Sequence, residues 1–415
     1  MHRYLFRGQF FFSRGVFPGR LEAIAPGMGF APRMCRPVVP SSTRVLDEAE
    51  RAHYWSALCD LWKAQSTYFP GSHPVAVTRS TIHLLRTHSY VAALKTDGVR
   101  FVLMLTRRPD GQPLALMIDR SRTMYEVQVC ALSHFFDGTL LDGELVWDRS
   151  GTALHFLVFD VVAVASEHVA HRSFGERLQI IHDIVMVPWP DMSVEEMNTH
   201  VRDERKISLR QTSPTVRMLP KSCTKIANVR DVWEARGASS FRNDGLLFTR
   251  TDVGMPMGRT EHMLKWKEHH TIDIIVQGAE CVLARTRTGN RPLVDCVSCI
   301  EAVRVEANEL SIEGQIVECC ITGWDASSGT LSLFPMRIRY DKDVCNSATT
   351  VAATLENVRE DITIEDIEGL AGASNFALDP KACGDADRAH KKRVRFDGGQ
   401  PTRCHAPSAL PDAHG

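Results

Sequence analysis

Tyr90-Val91-Ala92-Ala93-Leu94-Lys95-Thr96-Asp97-Gly98-Val99-Arg100-Phe101-Val102-Leu103-Met104-Leu105 is the stretch that decides how this chain is to be read. Two apolar runs, Tyr90 to Leu94 and Phe101 to Leu105, read as strands. The polar segment between them carries a lysine, an acid, a glycine and an arginine. A lysine at a strand edge, partly desolvated and near other cations, can serve as a nucleophile. Gly98 is expected to let the backbone turn closely around a phosphate. Arg100 is expected to offer a fork of donors to ribose or phosphate oxygens. The same letters also describe a plain surface hairpin, because Lys-x-Asp-Gly is good turn chemistry.

Further along, the chain twice repeats an acid-glycine pair that runs into an apolar strand. Leu141-Asp142-Gly143-Glu144-Leu145-Val146 suits ribose hydroxyls or a divalent metal, or else a simple hairpin turn. Asn243-Asp244-Gly245-Leu246-Leu247-Phe248 places Asp244 as a natural Mg2+ ligand beside a triphosphate, with a plain turn as the alternative. Between them, Phe156-Leu157-Val158-Phe159-Asp160-Val161-Val162 has the pattern of a buried strand, in which an aromatic facing a cleft could stack on a purine. Leu264-Lys265-Trp266-Lys267 alternates lysines with large apolar residues, so strand periodicity sets both ammonium groups on one face. Like charges side by side are costly unless an anion sits between them, and an α-phosphate meets that need; a solvated strand edge is the other explanation. Arg337-Ile338-Arg339-Tyr340-Asp341-Lys342 offers cations to a pyrophosphate leaving group, or is a charged loop with local ion pairs.

The surroundings are those of an ordinary globular chain. It has 415 residues, 44% hydrophobic and 24% charged, with a formal net charge of -1, room for two domains plus tails. No run is apolar and long enough for a membrane span. The near-neutral total argues against a protein that coats nucleic acid through bulk charge, while leaving room for a basic cleft. The twelve cysteines are scattered, with one Cys-x-x-Cys at Cys296 and Cys299 and no second pair at zinc spacing, so they read as reduced thiols. Residues 1–45 hold seven arginines and one acid, Glu22, and read as a disordered basic extension, with a mitochondrial presequence as the alternative. Order is expected from Leu46, beginning with a helix that buries Trp55, Leu58 and Trp62. Strands then dominate, with helices around Phe174 to Ile184 and Val229 to Ala235, which predicts an α+β domain on antiparallel sheet over 46–272. Short strands from about 273 predict a small barrel, followed by a helix over Asn346 to Asp366, giving a second domain over 273–368. Residues 369–415, with the basic cluster Lys391-Lys392-Arg393-Val394-Arg395, read as a disordered tail.

Taken in order, KTDGVR at 95–100, DGEL at 142–145, FLVFDVV at 156–162, DGLLF at 244–248, LKWK at 264–267 and RYDK at 339–342 resemble the motif set of the covalent nucleotidyltransferase superfamily. That superfamily contains mRNA capping guanylyltransferases and polynucleotide ligases. Three stretches are similar to the capping branch: Phe69-Pro70-Gly71-Ser72-His73-Pro74-Val75 with Thr78-Arg79, His269-His270-Thr271-Ile272-Asp273, and Asn346-Ser347-Ala348-Thr349-Thr350-Val351. The resemblance implies an OB-fold as the second domain, closing over the first, and dependence on Mg2+ or Mn2+. It implies that Lys95 carries GMP from GTP to a 5′-diphosphate RNA end, with an ATP-dependent RNA or DNA ligase as the alternative. By position it assigns Arg79, Thr96, Arg100, Glu144, Phe159, Lys265, Lys267, Arg339, Asp341 and Lys342 to the nucleotide, and Asp244 with Glu144 to the metal. Where capping enzymes carry a lysine-proline near the guanine, this chain has Leu219-Pro220, with Lys221 next in line. With about 45 residues ahead of the ordered region, no triphosphatase domain is expected there. A separate RNA triphosphatase and cap methyltransferase, the RNA polymerase II tail, and a nuclear location are therefore expected, with the mitochondrion as the alternative location.

Overall fold

The computed structural model describes residues 44–64, 69–151, 153–185, 216–306, 312–339 and 342–371. The arginine-rich start, the basic cluster at 391–395, Tyr340 and Asp341 lie outside the described residues.

Three sheets rich in antiparallel pairing organise the described residues. The first orders Met124–Val127, Pro113–Ile118, Val99–Arg107, Thr139–Trp147, Leu154–Val164 and Glu167–His168 side by side, all antiparallel. Arg217–Pro220 adds parallel to Leu154–Val164. The second orders Ser72–Ala76, Gly258–Lys267, Asn243–Arg250, Tyr90–Thr96 and Thr224–Lys225, parallel only in its first pair. The third orders Gly289–Pro292, Val282–Thr286, Thr271–Val276, Ile316–Asp325, Thr330–Ile338 and Ala302–Val305, parallel only in its last pair.

The segment quoted first is no hairpin. Tyr90–Thr96 belongs to the second sheet and Val99–Arg107 to the first, so the chain steps from one sheet to the other at Asp97-Gly98. Gly98 has no positive φ. It is needed because a Cβ there would lie 2.4 Å from Val146 Cγ1 and 2.6 Å from the Leu145 carbonyl oxygen. The glycine therefore serves close approach of two backbones, and not the tight turn expected from the sequence. Asp142-Gly143 and Asp244-Gly245 are not turns either, since both lie inside strands.

Alternation along Val99–Arg107 feeds two cores. Phe101, Leu103 and Leu105 pack toward Ile181 and Ile184 of the helix Phe174–Val185. Val102 and Met104 pack toward Tyr54, Leu58 and Trp62 of the helix Glu48–Trp62. The buried face of that helix is thus Tyr54-Leu58-Trp62 at regular i, i+4 spacing, and Trp55 is only partly covered. Each fully covered aliphatic side chain contributes roughly 1.5–3 kcal/mol.

The third sheet has its own core, around Ile274, Val317, Leu331 and Leu333, into which Val351 and Leu355 pack from the helix Ala348–Glu360. The single helix expected over Asn346 to Asp366 is broken at Asp361, which adopts a left-handed conformation (φ 42°). A second helix, Ile364–Ala371, follows. Its Ile364 and Ile367 pack with Ile226, Trp233 and Trp266 in the core under the second sheet. The last helix thus packs with the sheet that carries Lys95.

Candidate active site

Lys95 stands near the end of its strand, and two neighbouring strands bring its partners. Leu246 faces Leu94 on one side and Trp266 on the other, while Leu247 faces Ala93 and Lys265. Leu246, Phe248, Leu264 and Trp266 fill the core beneath, which leaves Lys95, Lys265 and Lys267 on the opposite face. The same alternation would put Asp244 into the core beside Leu246. It is redirected because the pairing with Tyr90–Thr96 slips between Asn243 and Leu246. At Gly245 the backbone comes so near its neighbour that a Cβ would lie 2.0 Å from the Trp266 carbonyl oxygen. Irregularities of this kind re-aim a side chain.

Asp244 consequently sits between two lysines. Lys95 Nζ donates to Oδ1 at 2.6 Å, and Lys267 Nζ pairs with Oδ2 at 2.7 Å. Burial alone would raise the Asp244 carboxyl, but the two ammonium groups outweigh it and hold it below the usual carboxylate range. Burial opposes the Lys267 ammonium, and Asp244 more than restores it. Lys265 forms no ion pair among the described residues, and burial, Lys267 and Lys95 push it below the ordinary lysine value against the pull of Asp244.

The first sheet supplies the facing wall. Glu144 lies directly across the strand pair from Arg100, yet Arg100 takes the diagonal neighbour Asp142. Nε reaches Oδ1 at 2.9 Å, Nη2 reaches Oδ2 at 2.5 Å, and Nη1 donates to the Ser72 carbonyl at 2.6 Å. The guanidinium lies 5.6 Å from the ring centroids of both Phe69 and Phe159. Asp142, 1% exposed, is thereby committed to Arg100 and closed to ribose or metal.

Glu144 is held differently. Oε1 accepts the Gly98 N–H at 3.2 Å, and Oε2 accepts the Thr96 hydroxyl and the Lys221 ammonium, the latter at 3.1 Å. Lys221, 7% exposed, also donates to Thr96 Oγ1 at 2.8 Å. An ammonium beside Glu144 suits recognition of hydroxyls and opposes a metal ion there. Among the described residues no three His, Cys, Asp or Glu side chains converge on a metal position. Asp244 has an ammonium on each of its oxygens, so a metal ion there would have to displace Lys95 or Lys267 from it.

Three expected residues lie away from this cluster. Arg339 donates through Nη1 to Asp273 at 2.6 Å and to Glu318 at 3.2 Å, and Lys342 pairs with Asp273. Arg79 holds the break between the last two helices: its backbone N–H and guanidinium bond Glu360, the Asp361 carbonyl and Asp366. In this structure Arg79 therefore clamps a helix end and is not at the lysine cluster. The contact from the third sheet to the KTDG segment comes instead from Arg337, which bonds Asp97 at 3.3 Å and Glu318 at 2.6 Å. Nothing in one sequence signals the Arg100–Asp142, Lys221–Glu144 or Arg337–Asp97 pairs, because each depends on how separate elements are placed.

Two lysines on one carboxylate, with a third beside them that forms no ion pair among the described residues, suit group transfer at phosphorus. That is the arrangement of a lysine-based nucleotidyltransferase. The chain belongs to the mRNA capping enzyme family, whose catalytic-domain model matches residues 37–269, more than half of the chain. It is 26% identical over 335 residues to the mRNA-capping enzyme subunit alpha of Schizosaccharomyces pombe, covering 72% of this chain and 79% of that protein. The protein of the same name from Neurospora crassa is 25% identical over 358 residues, covering 74% and 85%. Among solved structures the chain is similar to mycobacterial DNA ligase D complexed with ATP and MES, at 14% identity and a TM-score of 0.35, over 65% of this chain and 95% of that one.

Proposed function

We propose that this chain is an mRNA guanylyltransferase, which takes GMP from GTP as a covalent lysyl-GMP and transfers it to the 5′-diphosphate end of RNA to make a GpppN cap. The observation that carries this is the lysine cluster: Lys95 and Lys267 share Asp244, and Lys265 is left for an α-phosphate. In the first step Lys95 Nζ bonds the α-phosphorus, the bond from that phosphorus to the pyrophosphate oxygen breaks, and pyrophosphate leaves. The amine gives up a proton, for which Asp244 Oδ1 at 2.6 Å is the adjacent acceptor. Lys265 and Lys267 offset charge on the phosphoryl oxygens. Glu144 and Thr96, braced by Lys221, take the ribose hydroxyls. Phe159 offers a ring face to guanine, and Arg100, fixed by Asp142, borders the same space. In the second step an RNA diphosphate oxygen attacks the phosphorus, the P–N bond breaks, and Lys95 regains a proton.

Mg2+ or Mn2+ would be held by Asp244 once one of its two lysines has moved onto the phosphate, and would supply charge neutralisation. We read residues 46–272 as the nucleotidyltransferase domain and the six-stranded unit from 273 as an OB-fold, whose Arg339, Asp341 and Lys342 serve the pyrophosphate end. A separate RNA triphosphatase and cap methyltransferase, the RNA polymerase II tail, and the nucleus complete the proposal.

The test is a pair of incubations with α-labelled GTP and α-labelled ATP. A covalent adduct from GTP that disappears in Lys95→Ala is the expected result. An adduct from ATP alone moves the chain to the ligases, and an adduct that survives Lys95→Ala removes Lys95 as nucleophile.

A further inference from the structure

Asp273 is a buried carboxylate, 7% exposed, on the strand Thr271–Val276, the first strand after the lysine pair Lys265 and Lys267. Its Oδ1 takes Arg339 Nη1 at 2.6 Å, and its Oδ2 takes Lys342 Nζ. Asn346 fixes it from the other side. The Asp273 N–H donates to Asn346 Oδ1 at 2.9 Å, the Asn346 N–H donates to the Asp273 carbonyl at 2.7 Å, and Asn346 Nδ2 lies 3.5 Å from Oδ2. The order of support runs from Asn346 to Asp273 to the two cations. Glu318 adds a second carboxylate to Arg339 at 3.2 Å and to Arg337 at 2.6 Å. Arginine and lysine side chains are long and lose much rotamer freedom when placed. Two of them aimed by one rigid carboxylate arrive at a phosphate already ordered, which removes that cost from the reacting state.

We propose that Asp273 is the positioning residue for the pyrophosphate-binding cations: it sets Arg339 and Lys342, and acts through them on lysyl-nucleotide formation alone. The proposal rests on the assignment of Arg339 and Lys342 to the pyrophosphate end. Pyrophosphate is made in the first step, when the bond from the α-phosphorus to its oxygen breaks, and is absent from the second. A residue that only holds the fold together would weaken both steps.

Asp273→Asn keeps the shape and the backbone bonds to Asn346 while removing the charge. The full chain is loaded by prolonged incubation with α-labelled GTP, and three rates are read: adduct formation, release of GTP when inorganic pyrophosphate is added to the adduct, and transfer to 5′-diphosphate RNA. We expect the first two to fall about a hundredfold, the cost typical of misplaced reacting groups, with a raised KM for pyrophosphate and transfer unchanged. Asp273→Glu should recover part of the loss. Arg339→Ala is the control for the assignment beneath the proposal: if it spares the pyrophosphate steps, that assignment fails. If Arg339→Ala slows those steps and Asp273→Asn slows all three equally, or none, the positioning role of Asp273 is overturned. A faster first step in Asp273→Asn would also overturn it, since Asp273 would then be sequestering the cations.

Discussion

His270 follows the lysine pair and is half-buried where the chain leaves the second sheet for the third, its carbonyl accepting the Ile321 N–H at 2.9 Å. Burial, with Lys267 and His269 beside it, pushes its imidazole down to about 4. An ordinary histidine takes a proton near pH 6.5, so the unfolded chain binds that proton between pH 6.5 and 4 while the folded chain does not. Stability is therefore full above pH 6.5 and falls as the pH drops toward 4. His270→Gln should lose less stability across this window, by on the order of 2 kcal/mol. Urea midpoints at pH 7 and pH 4.5 check this; equal losses in the two proteins would refute it. At this scale much was legible: Lys95, Asp244 and Lys267 were named from their motifs, and the structure brings all three together. Asp142 was not legible as the partner of Arg100, because Glu144 is directly opposite and the choice of the diagonal is made by side-chain reach.

At the scale of elements, the Asp-Gly pairs at 97–98, 142–143 and 244–245 are the instructive case. Alone, each has the chemistry of a turn, yet all three serve close contact between strands. Gly245 does the most, since the irregularity there turns Asp244 out of the core and onto the lysines. Its φ is not positive, so alanine would ordinarily be tolerated or mildly stabilising through the unfolded state. The Trp266 carbonyl oxygen 2.0 Å from the added Cβ reverses that sign. Gly245→Ala should lose about 2–3 kcal/mol by denaturant titration and slow adduct formation in the folded fraction. A stabilised, fully active variant would contradict this account. The helix break at Asp361 has a signal in the sequence: Thr363 and Asp366 form a reciprocal cap, with Thr363 N–H to Asp366 Oδ2 at 3.0 Å and Asp366 N–H to Thr363 Oγ1 at 3.3 Å.

Across the whole molecule, the chain passes from the second sheet to the third at 268–270 and returns at 361–363. The two crossings are joined where Trp266 Nε1 donates to the Ile362 carbonyl at 2.7 Å. Arg79 and Arg230 pin the returning helix through Asp366, Glu365 and Glu368. Ile367, fully buried, packs in the core beneath the lysine strands and not in the core of the third sheet. Ile367→Ala should cost about 2–4 kcal/mol. Amide exchange should quicken in Asn243–Arg250 and Gly258–Lys267 while the Ile316–Asp325 strand is unaffected; the reverse pattern would return this helix to the second domain.

The sequence by itself determined which residue types the site draws on, because Lys95, its carboxylates and its companion lysines stand in motifs that spell them out. It also determined most strands, because alternation of apolar residues is a local property. Only the tertiary structure decided that Lys95 sits at a step between two sheets, that Asp244 faces the lysines, and that Arg79 serves a helix end. Each of those depends on which strands become neighbours and where their pairing slips. Register is set by contacts between distant segments, and no single segment carries it.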